Sequence, residues 1–92
     1  VNSTFSLVYD SIALKQLKKL DKQTSKRITT WLAERLKDCE NPRLWGSALK
    51  GELGEYWRYR IGDYRVLCKI INNELIVLIL EIEHRKSVYQ TY

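Results

Sequence analysis

Arg58, Arg60 and Arg65 lie close together in the stretch EYWRYRIGDYRVLCKI, residues 55–70. The aromatic and β-branched residues between them favour extended backbone. Gly62-Asp63 is a two-residue hairpin signal with glycine first, suited to a type II′ turn. Closing the hairpin there sets Ile61 opposite Tyr64, Arg60 opposite Arg65, Tyr59 opposite Val66 and Arg58 opposite Leu67. Two guanidinium groups of like sign become cross-strand neighbours, an arrangement that costs a few tenths to ~1 kcal/mol. Fold stability does not ask for it, whereas a bound anion does. A phosphodiester between the two groups turns repulsion into charge-assisted, bidentate hydrogen bonds. The alternative is that each arginine pairs with a nearby acid: Asp63, Glu81 or Glu83.

Side chains alternate across a strand, so the register assigns faces. Asn72-Asn73 reads as a second two-residue turn, which predicts Arg65 opposite Leu80, Leu67 opposite Leu78 and Lys69 opposite Ile76. One face then holds Trp57, Tyr59, Ile61, Tyr64, Val66, Ile70, Val77 and Ile79, a floor for helices. The other holds Arg58, Arg60, Arg65 and Lys69. Simple parity adds His84 to the arginine face and sends Arg85 to the other, and a bulge or strand end near Glu83 would exchange the two.

The elements that position these residues follow from the rest of the chain. TFSLVY, residues 4–9, alternates as a short strand. Asp10 or Ser11 supplies an N-cap oxygen, and Ile12, Leu14, Leu17 and Leu20 follow at near-helical spacing with Lys15, Lys18 and Lys19 outward. A second helix runs from Lys22 to Lys37, with Ile28, Trp31, Leu32, Leu36 and Cys39 as its apolar stripe. Asp21 lies in the tight turn between the helices. ENPRLWGS, residues 40–47, reads as a loop and GELGE, residues 51–55, as a turn. ELIVLILEI is a continuous apolar run that predicts a central strand covered on both faces. The fold class is α+β in the order β-α-α-β-β-β: an antiparallel sheet with two N-terminal helices packed on one face. Ninety-two residues make one domain, 1–92.

Composition narrows the classes. Two cysteines without CxxC spacing and a single histidine argue against a zinc site and a disulfide framework. Cys68, in an apolar strand, reads as a small buried hydrophobe. No metal or cofactor is expected. No apolar run reaches membrane-spanning length and no signal peptide is visible, so no membrane partner is expected and the cytoplasm is the expected address. The net charge of +5 suits a polyanion or an acidic protein partner, or a lysine-rich solvated surface. Trp45, in the Pro42–Gly46 loop, is expected at the surface against nucleic acid or a partner, with Lys69 and Lys50 as further nucleic-acid contacts.

Three strings in order resemble the RelE/ParE superfamily of small bacterial toxins: FSLVYDSIALKQLKKLD, LKGELGEYWRYRIGDYRVLCKI and HRKSVY. The resemblance spans nearly the whole chain and implies a RelE-like fold. The RelE branch cleaves messenger RNA in the ribosomal decoding site, and the ParE branch poisons DNA gyrase. A degenerate member would bind only antitoxin and DNA. The resemblance further implies a cognate antitoxin, operator DNA bound only through the antitoxin complex, and, for the RelE branch, the ribosome and mRNA as partners. It carries the catalytic role onto Arg58, Arg60, Arg65, Arg85 and Tyr89. Well-studied members often have lysine where this chain has Arg58 and Arg60.

RNA cleavage of this kind is metal-independent and uses the ribose 2′-oxygen as nucleophile. Arginines stabilise the phosphorane, since they stay cationic and fork onto phosphate oxygens. They do not act as bases. Acid–base candidates are His84, Glu81, Glu83 and Tyr89. The arginine cluster favours a phenolate, and the resemblance points to Tyr89. The expected function is therefore a ribosome-dependent endoribonuclease toxin, with the gyrase poison as the alternative.

Overall fold

The computed structural model describes residues 4–49 and 56–84. Two aspartates set the helical layer. Asp10 stands in extended backbone and accepts the Ile12 amide at 3.1 Å, so β1 (Ser6–Tyr9) feeds directly into α1 (Ser11–Lys19). Asp21 accepts the Thr24 hydroxyl at 2.6 Å and the Thr24 amide at 3.1 Å at the start of α2 (Lys22–Leu36). These bonds satisfy amides that a first helical turn leaves without partners. The hydroxyl bond, then the amide bond, holds the Asp21 carboxyl below the ordinary carboxylate range.

The expected stripe of α2 is borne out, with Ile28, Leu32 and Leu36 buried and Trp31 half-buried. That of α1 is corrected. Ala13 and Leu17 point inward, while Ile12 and Leu14 are 53% and 46% exposed. The small Ala13 side chain lets α1 lie close on the sheet, and Gln16 Oε1 accepts the Ile82 amide at 2.6 Å.

The remaining strands are β2 (Ser47–Ala48), β3 (Tyr56–Ile61), β4 (Tyr64–Ile71) and β5 (Ile76–His84). The sheet order is β1-β5-β4-β3-β2, and β1 runs parallel to β5 while the other pairs are antiparallel. The sheet is thus mixed rather than wholly antiparallel. No turn joins β1 to its partner, so no local signal records its direction. The two-residue β2, which begins on the last residue of the stretch read as loop, adds an edge strand.

The β3–β4 register is the expected one, residue for residue. Gly62 has φ +57° and Asp63 keeps a negative φ, as a type II′ turn requires. The β4–β5 register differs. A 3-10 turn over Asn72–Glu74 and a left-handed Leu75, φ +54°, take four residues, so Ile71 pairs with Ile76 and Lys69 with Leu78. Beyond Cys68–Ile79, β5 carries one extra residue, Leu80. Leu67 then meets Glu81, Arg65 meets Glu83 and Tyr64 meets His84. A bulge of this kind exchanges the faces of everything after it.

The helices cover one face of the sheet. Tyr59, Val66, Cys68, Val77 and Ile79 are fully buried beneath them. The other face of β5 is open, with Leu78 and Leu80 only half-buried. The Tyr59 hydroxyl donates to the Pro42 carbonyl at 2.6 Å, pinning the post-helix loop to the core. Burial pushes the Cys68 thiol up to about 12 from an ordinary value near 9. An unfolded chain releases that proton between the two values while the folded chain keeps it, so stability is complete below pH 9 and falls from pH 9 towards 12. Three units correspond to on the order of 4 kcal/mol. Urea melts of Cys68→Val are expected to lose this part of the alkaline decline, and an unchanged pH profile would assign it elsewhere.

The formal charge is unevenly placed. Residues 11–33 carry Lys15, Lys18, Lys19, Lys22, Lys26 and Arg27 against Asp21 alone, a balance equal to the +5 of the whole chain. The rest of the sequence is neutral in sum.

Candidate functional site

The open face of the sheet is a grid fixed by the two registers. Its rows across β3, β4 and β5 are Arg60–Arg65–Glu83, Arg58–Leu67–Glu81 and Tyr56–Lys69–Leu78. Neighbouring strands are about 4.8 Å apart and neighbouring rows about 7 Å apart. The structure therefore brings Arg58, Arg60, Arg65 and Lys69 onto one face.

Arg58, Arg65, Leu67, Glu81, Glu83 and Leu49 line a shallow cleft of ≈ 170 Å³. Leu49 is seated there because its amide donates to the Tyr56 carbonyl at 3.2 Å, continuing the β2–β3 pairing past Ala48. Arg60 is exposed beside the cleft. Arg65 is half-buried, with Arg60 on one side and Glu83 on the other. Such a site offers fixed cations to a phosphate and carboxylate oxygens to a proton within one row of the sheet.

The backbone beneath Arg58 is held from behind. Gly46, at φ +79°, packs against the Arg58 carbonyl, and a Cβ there would meet that oxygen and lie 2.7 Å from Trp57 Nε1. Trp57 Nε1 donates to the Trp45 carbonyl at 2.6 Å. Arg43 reaches across to Asn72 Oδ1 at 2.9 Å, with its guanidinium 5.9 Å from the Trp57 ring centre.

Three expectations change here. His84 leaves the arginine face, because the Leu80 bulge turns it to the helix side, where it meets Tyr64 edge-on at 5.0 Å. The same bulge carries Glu81 and Glu83 onto the arginine face. Trp45 is half-buried against the core rather than exposed. Arg85, Tyr89 and Lys50 lie outside the described residues. Among the described residues no group of three or more metal-ligating side chains converges, and no helix is long and apolar enough to cross a membrane.

The cleft's apolar floor, Leu49 and Leu67, was not singled out from the sequence. Tyr56, two residues before Arg58 on β3, shares this face and was not singled out either. Arg27 was also missed: its guanidinium lies over the hairpin turn, 3.1–3.2 Å from where a Gly62 Cβ would stand.

Comparison with known proteins adds identity to this geometry. The family model for the ParE toxin of type II toxin–antitoxin systems matches residues 7–89. No curated relative matches the sequence. Among solved structures, the RelBE2 toxin–antitoxin complex of Mycobacterium tuberculosis contains a chain 26% identical, with TM-score 0.75, over 89% of this chain and 99% of that one. The isolated RelE toxin of E. coli shares the fold at 20% identity and TM-score 0.72, over 97% of this chain and 100% of the other. A YoeB/ParE toxin from Agrobacterium tumefaciens does so at 17% and 0.61, over 87% and 98%. With the two helices, the mixed sheet and a match over nearly its whole length, the chain belongs to the ParE toxin family of type II toxin–antitoxin systems, within the RelE/ParE superfamily.

Proposed function

We propose that this toxin acts as an RNA endonuclease of the RelE type, cutting messenger RNA on the ribosome and held inactive by a partner antitoxin. The observation that carries the reading is the gathering of Arg58, Arg60 and Arg65 on one open face around a shallow cleft, a set of cations that suits a phosphodiester. A nuclease needs that face, whereas a protein that only blocks another enzyme does not.

In the reaction, the ribose 2′-oxygen attacks the adjacent phosphorus and the 5′-oxygen of the next nucleotide leaves. The products are a 2′,3′-cyclic phosphate and a free 5′-hydroxyl. Arg58, Arg60 and Arg65 bind the non-bridging oxygens and stabilise the phosphorane. Glu81 or Glu83 accepts the 2′-hydroxyl proton, since both carboxylates share the arginine face and His84 does not. The resemblance assigns the two tail residues, Arg85 to the phosphate and Tyr89 to proton transfer, where it gives the leaving 5′-oxygen its proton. Cytoplasmic RNA is the substrate, and no metal takes part.

The match to the ParE family model supports a second reading, a non-enzymatic poison of DNA gyrase. Primer extension on a translated message separates the two. The nuclease leaves defined cuts that Arg58→Ala suppresses. Intact message together with trapped, cleaved DNA–gyrase complexes would establish the second reading and remove the first.

A further inference from the structure

We propose that Tyr56 is a base-stacking, specificity-determining residue and that the apolar cleft beside it holds the nucleobase next to the scissile phosphate; this rests on the nuclease reading above. Tyr56 lies on the arginine face one row beyond Arg58, about 7 Å further along β3, the reach of one nucleotide. Its ring is half-buried in the sheet surface and backed by Lys69, whose Nζ stands 5.9 Å from the ring centre. A base stacking on the open side of that ring gains both the aromatic contact and the field of the cation.

The cleft that Tyr56 walls is continuous with the arginine cleft. It encloses ≈ 330 Å³ and shares Leu49, Leu67 and Glu81 with its neighbour, adding Leu80, Ile12 and Asp10. The walls are largely apolar, and the charged groups of the lining are two carboxylates. That lining is a poor seat for an acidic protein segment, which would bring like charge against Asp10 and Glu81. Its size suits one or two flat rings rather than a helix. Carboxylates only accept hydrogen bonds, so the cleft favours bases with an exocyclic amino group (adenine, cytosine, guanine) over uracil, whose one base-edge donor, N3–H, is flanked by two carbonyl oxygens that a carboxylate repels.

The test compares cut-site frequencies on one translated message for the wild-type toxin, Tyr56→Phe and Tyr56→Leu. Leucine keeps apolar bulk in the strand and removes the aromatic ring, while phenylalanine keeps the ring. Wild type and Tyr56→Phe are expected to prefer amino-bearing bases beside the cut. Tyr56→Leu is expected to cut with that preference flattened and its KM raised about 5- to 150-fold, its kcat being less affected. Unchanged site frequencies in Tyr56→Leu would overturn the subsite and leave the nuclease reading intact. The same holds if Tyr56→Leu cuts normally but escapes its antitoxin, which would make the cleft a protein seat. Failure of the wild-type toxin to cut at all would end both proposals.

Discussion

Arg65→Ala is expected to slow message cleavage by about 10²–10³-fold, the loss that follows removal of one preorganised contact to a developing oxyanion. Arg65 sits centrally in its row, between Arg60 and Glu83. It lines the cleft, and a guanidinium fork there suits the two non-bridging oxygens of a bound phosphate. The loss is expected in kcat as well as kcat/KM, because the charge it stabilises is greatest in the phosphorane. Circular dichroism should stay native, since the side chain rises from the open face and the core lies beneath the other. Lysine at the same position keeps the charge but not the bidentate geometry and is expected to recover only part of the rate. Single-turnover cleavage by Arg65→Ala at a rate near wild type would remove this residue from the chemistry.

Gly46→Ala is expected to be the most damaging conservative change outside the cleft. The position has φ +79°, a region that L-residues with a Cβ adopt at a cost of roughly 1–2 kcal/mol. A methyl there would also overlap the Arg58 carbonyl and press on Trp57 Nε1 at 2.7 Å and Tyr59 Cδ1 at 2.9 Å. Two of these neighbours are the main chain of β3 and a buried tyrosine, neither of which swings aside as a surface side chain would. Overpacking of this kind adds about 1–3 kcal/mol, for a total of roughly 2–5 kcal/mol. Denaturant titration measures it directly. A midpoint equal to wild type would mean that the loop before β2 yields without disturbing β3. Because β3 carries Arg58, the nuclease reading also expects the residual folded protein to cut more slowly.

The contrast between the two hairpins explains how much of this was legible beforehand. Gly62-Asp63 is a turn whose chemistry fixes its own geometry, so the Arg60–Arg65 pair could be written down from the sequence. Asn72-Asn73 carries the same kind of residue but is only the start of a longer turn that ends on Leu75, a residue with no intrinsic preference for the left-handed region. Leu80 is equally silent, since an apolar residue inside an apolar run gives no sign that it is the one left unpaired. These two features decide which acid–base candidates share the cleft. The arginines were therefore readable, while the substitution of Glu81 and Glu83 for His84 was not. Trp45 was misplaced for a related reason. A Pro–Gly loop reads as surface, yet the Trp45 carbonyl is taken by the Trp57 indole and its ring lies on the core.

The crowding of Lys15, Lys18, Lys19, Lys22, Lys26 and Arg27 into the helical layer has a bearing on how the molecule meets its target. With the whole excess positive charge on one side of a body only 22 Å thick along its shortest axis, a distant polyanion attracts the back of the toxin more strongly than the cleft. On the nuclease reading, first encounters with RNA then lead with the helices and leave the arginine face turned outward, towards a second strand. A binding place in which RNA closes in from both sides would satisfy such a molecule, and a lone strand free in solution would not.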